Sequence, residues 1–464
     1  MDTKPDLTLP PQPGPKYRRL LAALEGAIRS GALPAGARVP PVRELAWQLK
    51  VTPGTVARAY QLATEAGLLE ATVGRGTFVR AAHRPLAEVP ANIIARPAVG
   101  GALNMRSGHT LDIGQTALMR AELARIATDE TLDLASYVRD ETLANCRSAA
   151  AAWMRGMGVD ADPADVVLTN GAHNAVMVAL NAVLHGREPV ILTSELTYPG
   201  FRQLAHIARA RIVGIGSDAE GLRPDLLEAA CRQHRAQALI LSASVHNPDC
   251  IVTGAARRAE IARIACRHDL QIIDDDVYGT LVRDRPDGFD RLCPERAWHA
   301  TSLSKCFAAG LRIGFLKCPP GAGQTGLRVM QGLSFSISQI LTRLVEYLFD
   351  SGAVAEFSAR IRAENIDRAG LARKTLARWQ VATCQGVNFV WVGLPPGWTG
   401  TELNRACEAA GLLIAPGDSF ALPGGRVPDA FRLTLSGAPE RAELAAALGR
   451  IDVILTGAPQ ALHA

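Results

Sequence analysis

The sequence predicts an α/β protein in two parts: a small N-terminal head of three helices and a hairpin, and a large body on a mostly parallel sheet with helices on both faces. Three observations predict it. The chain has 464 residues, too many for one hydrophobic core, so two or three domains are expected. Residues 16–80 show helical apolar spacing three times and then two short β-prone stretches. Beyond residue 105, fully apolar β-rich runs alternate with helical stretches, the pattern of a sheet buried on both sides.

Composition narrows the function classes. Hydrophobic residues make up 48% and charged residues 20%, the balance of a water-soluble globular chain. No apolar run is long enough to span a bilayer, and the N-terminal MDTKPDLTLPPQPGP lacks an apolar signal core. The expectation is a cytoplasmic protein with no membrane partner. Nine cysteines without paired spacing argue for reduced thiols and against a disulfide framework or metal site. The net charge of +5 lies wholly at one end: residues 1–82 hold 11 basic and 6 acidic residues, the remainder 39 of each. Such asymmetry suits a polyanion partner for the head, although five charges taken alone are ordinary scatter.

In the head, Tyr17, Leu20, Leu21, Leu24, Ala27 and Ile28 share one helical face, with Gly31 as a stop. After a loop, ALPAGARVPP, a second short helix carries Val42, Leu45, Ala46 and Leu49. Thr52 and Pro53 then form an N-cap and N1 pair for a third helix with Val56, Ala59, Tyr60 and Ala63 on its apolar face and Gly67 at its end. The β-prone stretches Leu68–Ala71 and Thr77–Val79 flank a tight turn, Val73-Gly74-Arg75-Gly76. Helix, helix-turn-helix, hairpin is the order of a winged helix, whose third helix enters the major groove. That places Arg43, Thr52, Thr55, Arg58 and Arg75 toward double-stranded DNA, with hydroxyls and helix N-termini suited to phosphates and arginines to phosphates or guanine edges. Three short helices alone would equally describe a small helical domain with solvated arginines. The stretch from Tyr17 to Val79, however, resembles the GntR-type winged helix throughout, in "GAIRSGALPAGARVPPVRELA", "VTPGTVARAY" and "EAGLLEATVGRGTFV". Pro53 stands where many relatives carry arginine or another polar residue, and Ala57 where several carry arginine.

Residues 81–104 hold three prolines and no sustained period, so they form a connector between a head at 1–80 and a body at 105–464. In the body the expected strands are Val166–Thr169, Val190–Thr193, Arg211–Ile215, Ala238–Leu241, Ile272–Asp274, Ala300–Ser302 and Arg312–Leu316. Ligands of such sheets bind beyond the strand ends, and polar residues collect there. Asn170-Gly171-Ala172-His173 opens a helix whose free amides suit a phosphate; most such turns are merely turns. Ser302-Leu303-Ser304-Lys305 and Gly310-Leu311-Arg312 combine a lysine, hydroxyls and an arginine, as a Schiff-base nucleophile with a phosphate clamp requires, although any one lysine is more often simply on the surface. Asp275 and Tyr278 follow Ile272–Asp274; of three consecutive aspartates, at most one is expected to be deep. A carboxylate there suits a protonated pyridine nitrogen, or simply caps a helix beside a core tyrosine.

Together these elements resemble the fold type I aminotransferases, dependent on pyridoxal 5′-phosphate (PLP), over nearly the whole body, and that resemblance implies a smaller C-terminal α/β subdomain. "SLSKCFAAGLRIG" resembles the PLP-lysine motif, which implies Lys305 as the residue bonded to the cofactor and Ser302 and Arg312 on its phosphate. "IIDDDVYG" implies Asp275 on the pyridine nitrogen and Tyr278 on the ring hydroxyl, and "SVHNPDCIVTG" adds Asn247 to that hydroxyl. "TNGAHNAV" implies phosphate amides at Ala172 and His173, "SELTYPGF" a ring-stacking Tyr198, and "FRLTLS" places Arg432 where the family binds a ligand α-carboxylate, a bidentate task suited to guanidinium. "YVRDETLANCR" implies that Tyr137 reaches the neighbouring subunit's phosphate, with Thr142 in place of the usual glycine. Cys250-Ile251-Val252 lengthens the stretch before Thr253-Gly254.

A GntR-type head fused to an aminotransferase-like body is the architecture of the MocR-type regulators. The resemblance implies a homodimeric, PLP-dependent transcription regulator that binds a DNA operator and senses PLP or an amine or amino-acid effector, with little sustained transaminase activity. The alternative is a working aminotransferase that carries a DNA-binding head.

Overall fold

The computed structural model describes residues 14–29, 32–33, 37–65, 68–72, 76–79 and 101–457. The chain divides into two compact units, residues 1–88 and 89–464.

The head consists of α1 (Lys16–Arg29), α2 (Val42–Gln48), α3 (Pro53–Glu65), β1 (Leu69–Thr72) and β2 (Gly76–Val79). Leu20, Leu24, Leu45, Val56, Ala59 and Ala63 interlock in one core. Pro53 opens α3 because N1 needs no amide donor, and the Thr52 hydroxyl accepts the Thr55 amide at 3.3 Å. β1 and β2 pair antiparallel. One segment differs from expectation. Part of the loop ALPAGARVPP is a third rung on the hairpin: Val39 donates to the Thr77 carbonyl at 2.9 Å and Val79 to the Ala37 carbonyl at 2.7 Å. The expected stops, Gly31 and Gly67, lie outside the described residues.

The body begins earlier than expected, because β3 (Leu103–Asn104) pairs in parallel with β15 (Leu412–Leu413); a two-residue strand carries no detectable period. Then come α4 (Gln115–Ile126), α5 (Ala144–Gly156), β4 (Val166–Thr169), α6 (Ala172–Val183), β5 (Val190–Ser194), α7 (Pro199–Ile207) and β6 (Arg211–Ile215). A ribbon, β7 (Ser217–Asp218) and β8 (Gly221–Leu222), precedes α8 (Pro224–His234), β9 (Ala238–Leu241), α9 (Ala255–Arg267), β10 (Gln271–Asp275), α10 (Phe289–Leu292), β11 (Ala297–Ser302) and β12 (Gly314–Lys317). The seven-stranded sheet has the order β4-β12-β11-β10-β9-β5-β6, and only β12 runs against the others. Alternate residues serve opposite cores: Ile191, Ile240 and Ile273 face one, Leu192, Leu239, Leu241 and Ile272 the other. Both faces of the inner strands are therefore dry, which is why β4 and β9 read as nearly unbroken apolar runs.

After α11 (Gly323–Ser334), α12 (Gln339–Asp350) and α13 (Ala353–Thr375), the chain builds a smaller α/β layer from β13 (Val381–Thr383), β14 (Phe389–Gly393), α14 (Gly400–Ala409), β16 (Ala415–Pro416), β17 (Ala430–Thr434) and α15 (Arg441–Thr456). Its antiparallel sheet, β13-β14-β17-β16, packs Val390, Val392, Phe431 and Leu433 against Leu403, Leu444 and Leu448.

Candidate functional site

The strand directions bring the polar turns together. β4, β5, β9, β10 and β11 all end at one edge of the sheet, and β12, reversed, starts there. The turns bound a cavity of about 210 Å³, lined among others by Ala172, His173, Tyr198, Asn247, Asp275, Tyr278, Ser302, Lys305, Arg312 and Arg432.

One end of the cavity gathers groups that suit an anion. α6 begins at Ala172, so the amides of Ala172 and His173 have no intrahelical partner. Gly171 has φ 86°, and a Cβ there would lie 2.7 Å from an Arg312 Nη2. A Cβ on Gly314 would lie 2.5 Å from the Gly171 carbonyl carbon. Both glycines let the turn, the arginine and β12 close on one another. Arg312 has φ 51° and donates to the Asn170 carbonyl at 3.4 Å; this left-handed residue breaks the extended run, so the strand starts at Gly314 rather than at Arg312 as expected. Ser302 is buried at the end of β11. Burial, and then Arg312, hold the His173 imidazole below its ordinary pKa.

At the other end the Lys305 amine donates to the Gly108 carbonyl. Burial, followed by the nearby Arg432, lowers its pKa to about 8 against the pull of Asp275. Burial, followed by Asp274 and Asp276, raises Asp275 to about 7, and its buried Oδ1 has no hydrogen-bond partner among the described residues. The expectation that at most one of the three aspartates is deep is wrong: Asp274 and Asp276 are themselves 4% and 2% exposed. Partners from other elements meet them. Asp276 is paired with Arg285 and lies 3.6 Å from His299 Nε2, and Asp274 accepts the Ala243 amide at 3.1 Å with the Arg258 charge nearby.

Tyr278 is buried, and its ring centroid lies 5.8 Å from the Lys305 amine. Tyr198 caps α7, edge-on to His173 at 6.4 Å; a Cβ on Gly200 would meet its ring at 2.2 Å, so that glycine sets the ring position. Arg432 on β17 is 2% exposed. It donates to Asn247 Oδ1 and to the Arg106 carbonyl, both at 2.6 Å, and stacks near Phe389 and Phe420 at 5.3 and 4.9 Å. Burial lowers its pKa; all the partners found for it among the described residues are neutral. Tyr137 stands apart: it is 85% exposed and stacks on Phe335 at 5.5 Å, outside the cavity lining.

The sequence pattern did not reveal Ser107 and Gly108, which line the cavity beside Lys305. Asn104 Oδ1 accepts the amides of Arg106 and Ser107, and Asn388 and Ser436 both donate to the His109 carbonyl, so this strap is held from two sides. Its one legible signal was the glycine, because a Cβ at 108 would sit 3.3 Å from the lysine nitrogen.

These features fit PLP. The amides with Arg312 suit its phosphate, the orphaned Asp275 oxygen suits a pyridine N–H, and Lys305 is an amine of reduced basicity. When bound, PLP supplies an aldehyde that condenses with amines and a ring that withdraws electrons. Condensation needs the neutral amine. The rate at which the apoprotein captures PLP is therefore expected to rise with pH up to about 8 and then level off. Stopped-flow absorbance checks this; a rate still climbing steeply above pH 9.5 would mean that Lys305 keeps its ordinary basicity (~10.4).

In the head, Arg43, Thr52 and Arg58 are exposed and Thr55 is half-buried. Arg58 donates to Gln61 at 3.1 Å. Arg75 lies outside the described residues. Arg38, which the loop reading passed over, is exposed on the hairpin rung, and a Cβ on Gly76 would lie 2.8 Å from its Nε. It therefore sits against the start of β2 in the wing.

Fold and site define a PLP-dependent transferase body on a chain with a winged-helix head. Residues 102–451 match aminotransferase class I and II, and the chain belongs to that family; residues 16–79 match the bacterial regulatory proteins of the gntR family. Relatives share both parts. The chain is 26% identical over 426 residues to the HTH-type transcriptional regulator YdeF of Bacillus subtilis, covering 89% of this chain and 88% of that one. It is 26% identical over 444 residues to the vitamin B6 salvage pathway transcriptional repressor PtsJ of Salmonella typhimurium, covering 91% and 95%. The α-aminoadipate aminotransferase LysN of Thermus thermophilus superposes with a TM-score of 0.71 at 24% identity, over 80% of this chain and 96% of that one, a likeness of fold. The protein is thus a GntR-headed transcription regulator with a PLP-dependent, aminotransferase-like body. No helix of the described residues is long and apolar enough to cross a membrane.

Proposed function

We propose that the body is a sensor whose reaction at Lys305 with PLP, or with an amine or amino acid presented to PLP, changes the affinity of the head for its operator. The observation that carries this reading is that one cavity gathers a lysine, an arginine, a helix N-terminus and an unpartnered buried carboxylate oxygen on the same chain as a gntR-family head. A DNA-binding head gives no benefit to a metabolic reaction, whereas a ligand that prefers one arrangement of the body can shift an equilibrium by that preference. In this reading Lys305 bonds the cofactor, Ser302, Arg312, Ala172 and His173 hold its phosphate, Asp275, Tyr278, Asn247 and Tyr198 hold its ring, and Arg432, which also donates to Asn247, takes the ligand carboxylate. The printed name of PtsJ makes a B6 vitamer the first effector to try. The protein acts as a homodimer in the cytoplasm; the exposed Tyr137, Phe335 and Leu134 supply part of the subunit contact.

The test pairs an operator-binding assay, with and without PLP and single amino acids, with a steady-state transamination assay. A ligand-dependent shift in operator affinity with negligible keto-acid production is expected. Robust turnover with no effect on DNA binding would make the protein an aminotransferase instead.

Binding by the head is expected to fall steeply with salt, because phosphate contacts release counterions. Arg43→Ala and Arg38→Ala should each weaken operator binding on the order of tenfold, with a shallower salt slope by about one unit for each lost phosphate contact. Fluorescence anisotropy across a salt series checks this; wild-type affinity in both variants would place the interface elsewhere.

A further inference from the structure

Eight of the nine cysteines are buried, and Cys266 is exposed. It sits in the last turn of α9. Its sulfur lies 2.7 Å from that of Cys293, the residue that follows α10 and is itself 4% exposed. That separation is inside ordinary non-bonded contact and only about 0.7 Å beyond the ~2.05 Å S–S bond length. Spacing along the sequence hides the pair, since 27 residues separate its members and the contact exists only because α9 packs on α10.

We propose that Cys266 and Cys293 form an oxidisable dithiol in which hydrogen peroxide converts the exposed Cys266 thiol to a sulfenic acid, which the buried Cys293 thiol resolves to an intramolecular disulfide. In the first step the Cys266 sulfur attacks one peroxide oxygen, the O–O bond breaks, and water leaves. In the second the Cys293 sulfur attacks the sulfenic sulfur, the S–O bond breaks, and a second water leaves. Two thiols are oxidised to one disulfide while both peroxide oxygens are reduced to water. Accessibility divides the roles, because a peroxide reaches Cys266 and not Cys293. Burial, and then the neighbouring Cys266, push the Cys293 thiol up to about 12, so it waits as a thiol rather than competing for the oxidant. Cys250 and Cys384 are also neighbours, but both are buried and lack an exposed sulfur to start the reaction.

The loop closed by this bond contains β10 with Asp275 and continues through Tyr278. Cys293 leads by way of Pro294–Arg296 into β11, at whose end lie Ser302 and Lys305. The oxidised form would brace the arm that carries half of the cofactor site.

The experiment treats the full-length protein with hydrogen peroxide under native conditions, blocks remaining thiols with iodoacetamide after unfolding, and maps the digest by mass spectrometry. The expected major product is a Cys266–Cys293 cross-linked peptide, lighter by two hydrogens than its two thiol peptides and cleaved by dithiothreitol, with Cys250 and Cys384 still alkylated. Cys293→Ser should stop at a Cys266 sulfenic acid that dimedone captures, and Cys266→Ser should leave Cys293 reduced. Recovery of Cys266 as a thiol, as a sulfinic acid or in an intermolecular disulfide, with Cys293 unmodified, overturns the proposal.

Discussion

Lys305→Ala is expected to abolish the visible absorbance that wild-type protein acquires with PLP and that borohydride bleaches. The loss is complete because no other lysine lines the cavity among the described residues. Burial keeps the Lys305 amine partly neutral near pH 8, and its bond to the Gly108 carbonyl holds it in the cavity. The variant should retain some PLP non-covalently, since the α6 amides, Ser302 and Arg312 are untouched; equilibrium dialysis measures that fraction. The fold should survive, because alanine leaves only the Gly108 carbonyl without its donor. If Lys305→Ala still shows a borohydride-sensitive band at wild-type intensity, the reacting amine lies elsewhere and the site assignment fails. A wild type that stays colourless with PLP would count against the same assignment.

How much of this was legible depends on whether the determining contacts were local. The strands at 166–169 and 238–241 could be read to the residue because both of their faces are buried and the apolar run ends where the burial ends. Lys305, Asp275 and Tyr278 were legible because each stands within a few residues of a strand end. The reversal of β12 was not, since apolar pattern carries no direction. Burial of Asp274 and Asp276 was also hidden: it depends on Arg258, Arg285 and His299, and Arg258 in turn donates to the carbonyls of Ala243, Thr253, Pro286 and Asp287, contacts that no local window contains. The strap at 104–109 fell between the expected connector and body, where neither period applies. Arg38 was lost for the same reason, as a single rung paired with a hairpin much further along the chain.

Arg432→Leu is expected to weaken the response to amino acids on the order of 100-fold, the loss typical of a desolvated charge pair (2–5 kcal/mol), while leaving the response to the corresponding decarboxylated amine nearly unchanged. The contrast follows from the geometry. Arg432 is buried, its guanidinium is oriented by Asn247 and the Arg106 carbonyl, and no carboxylate pairs with it among the described residues. A buried cation with only neutral partners favours an anion strongly, because the protein has already removed it from water. An amine without the carboxylate gains nothing from that charge, so it serves as an internal control for general damage to the cavity. The variant also strips Asn247 and the Arg106 carbonyl of a donor, so PLP affinity must be measured alongside; a loss of cofactor would lower both responses together. The readout is the ligand concentration that half-shifts operator binding, compared for one amino acid and its decarboxylated amine. An equal loss for both would show that Arg432 shapes the cavity, and an unchanged amino-acid response would show that the carboxylate binds elsewhere.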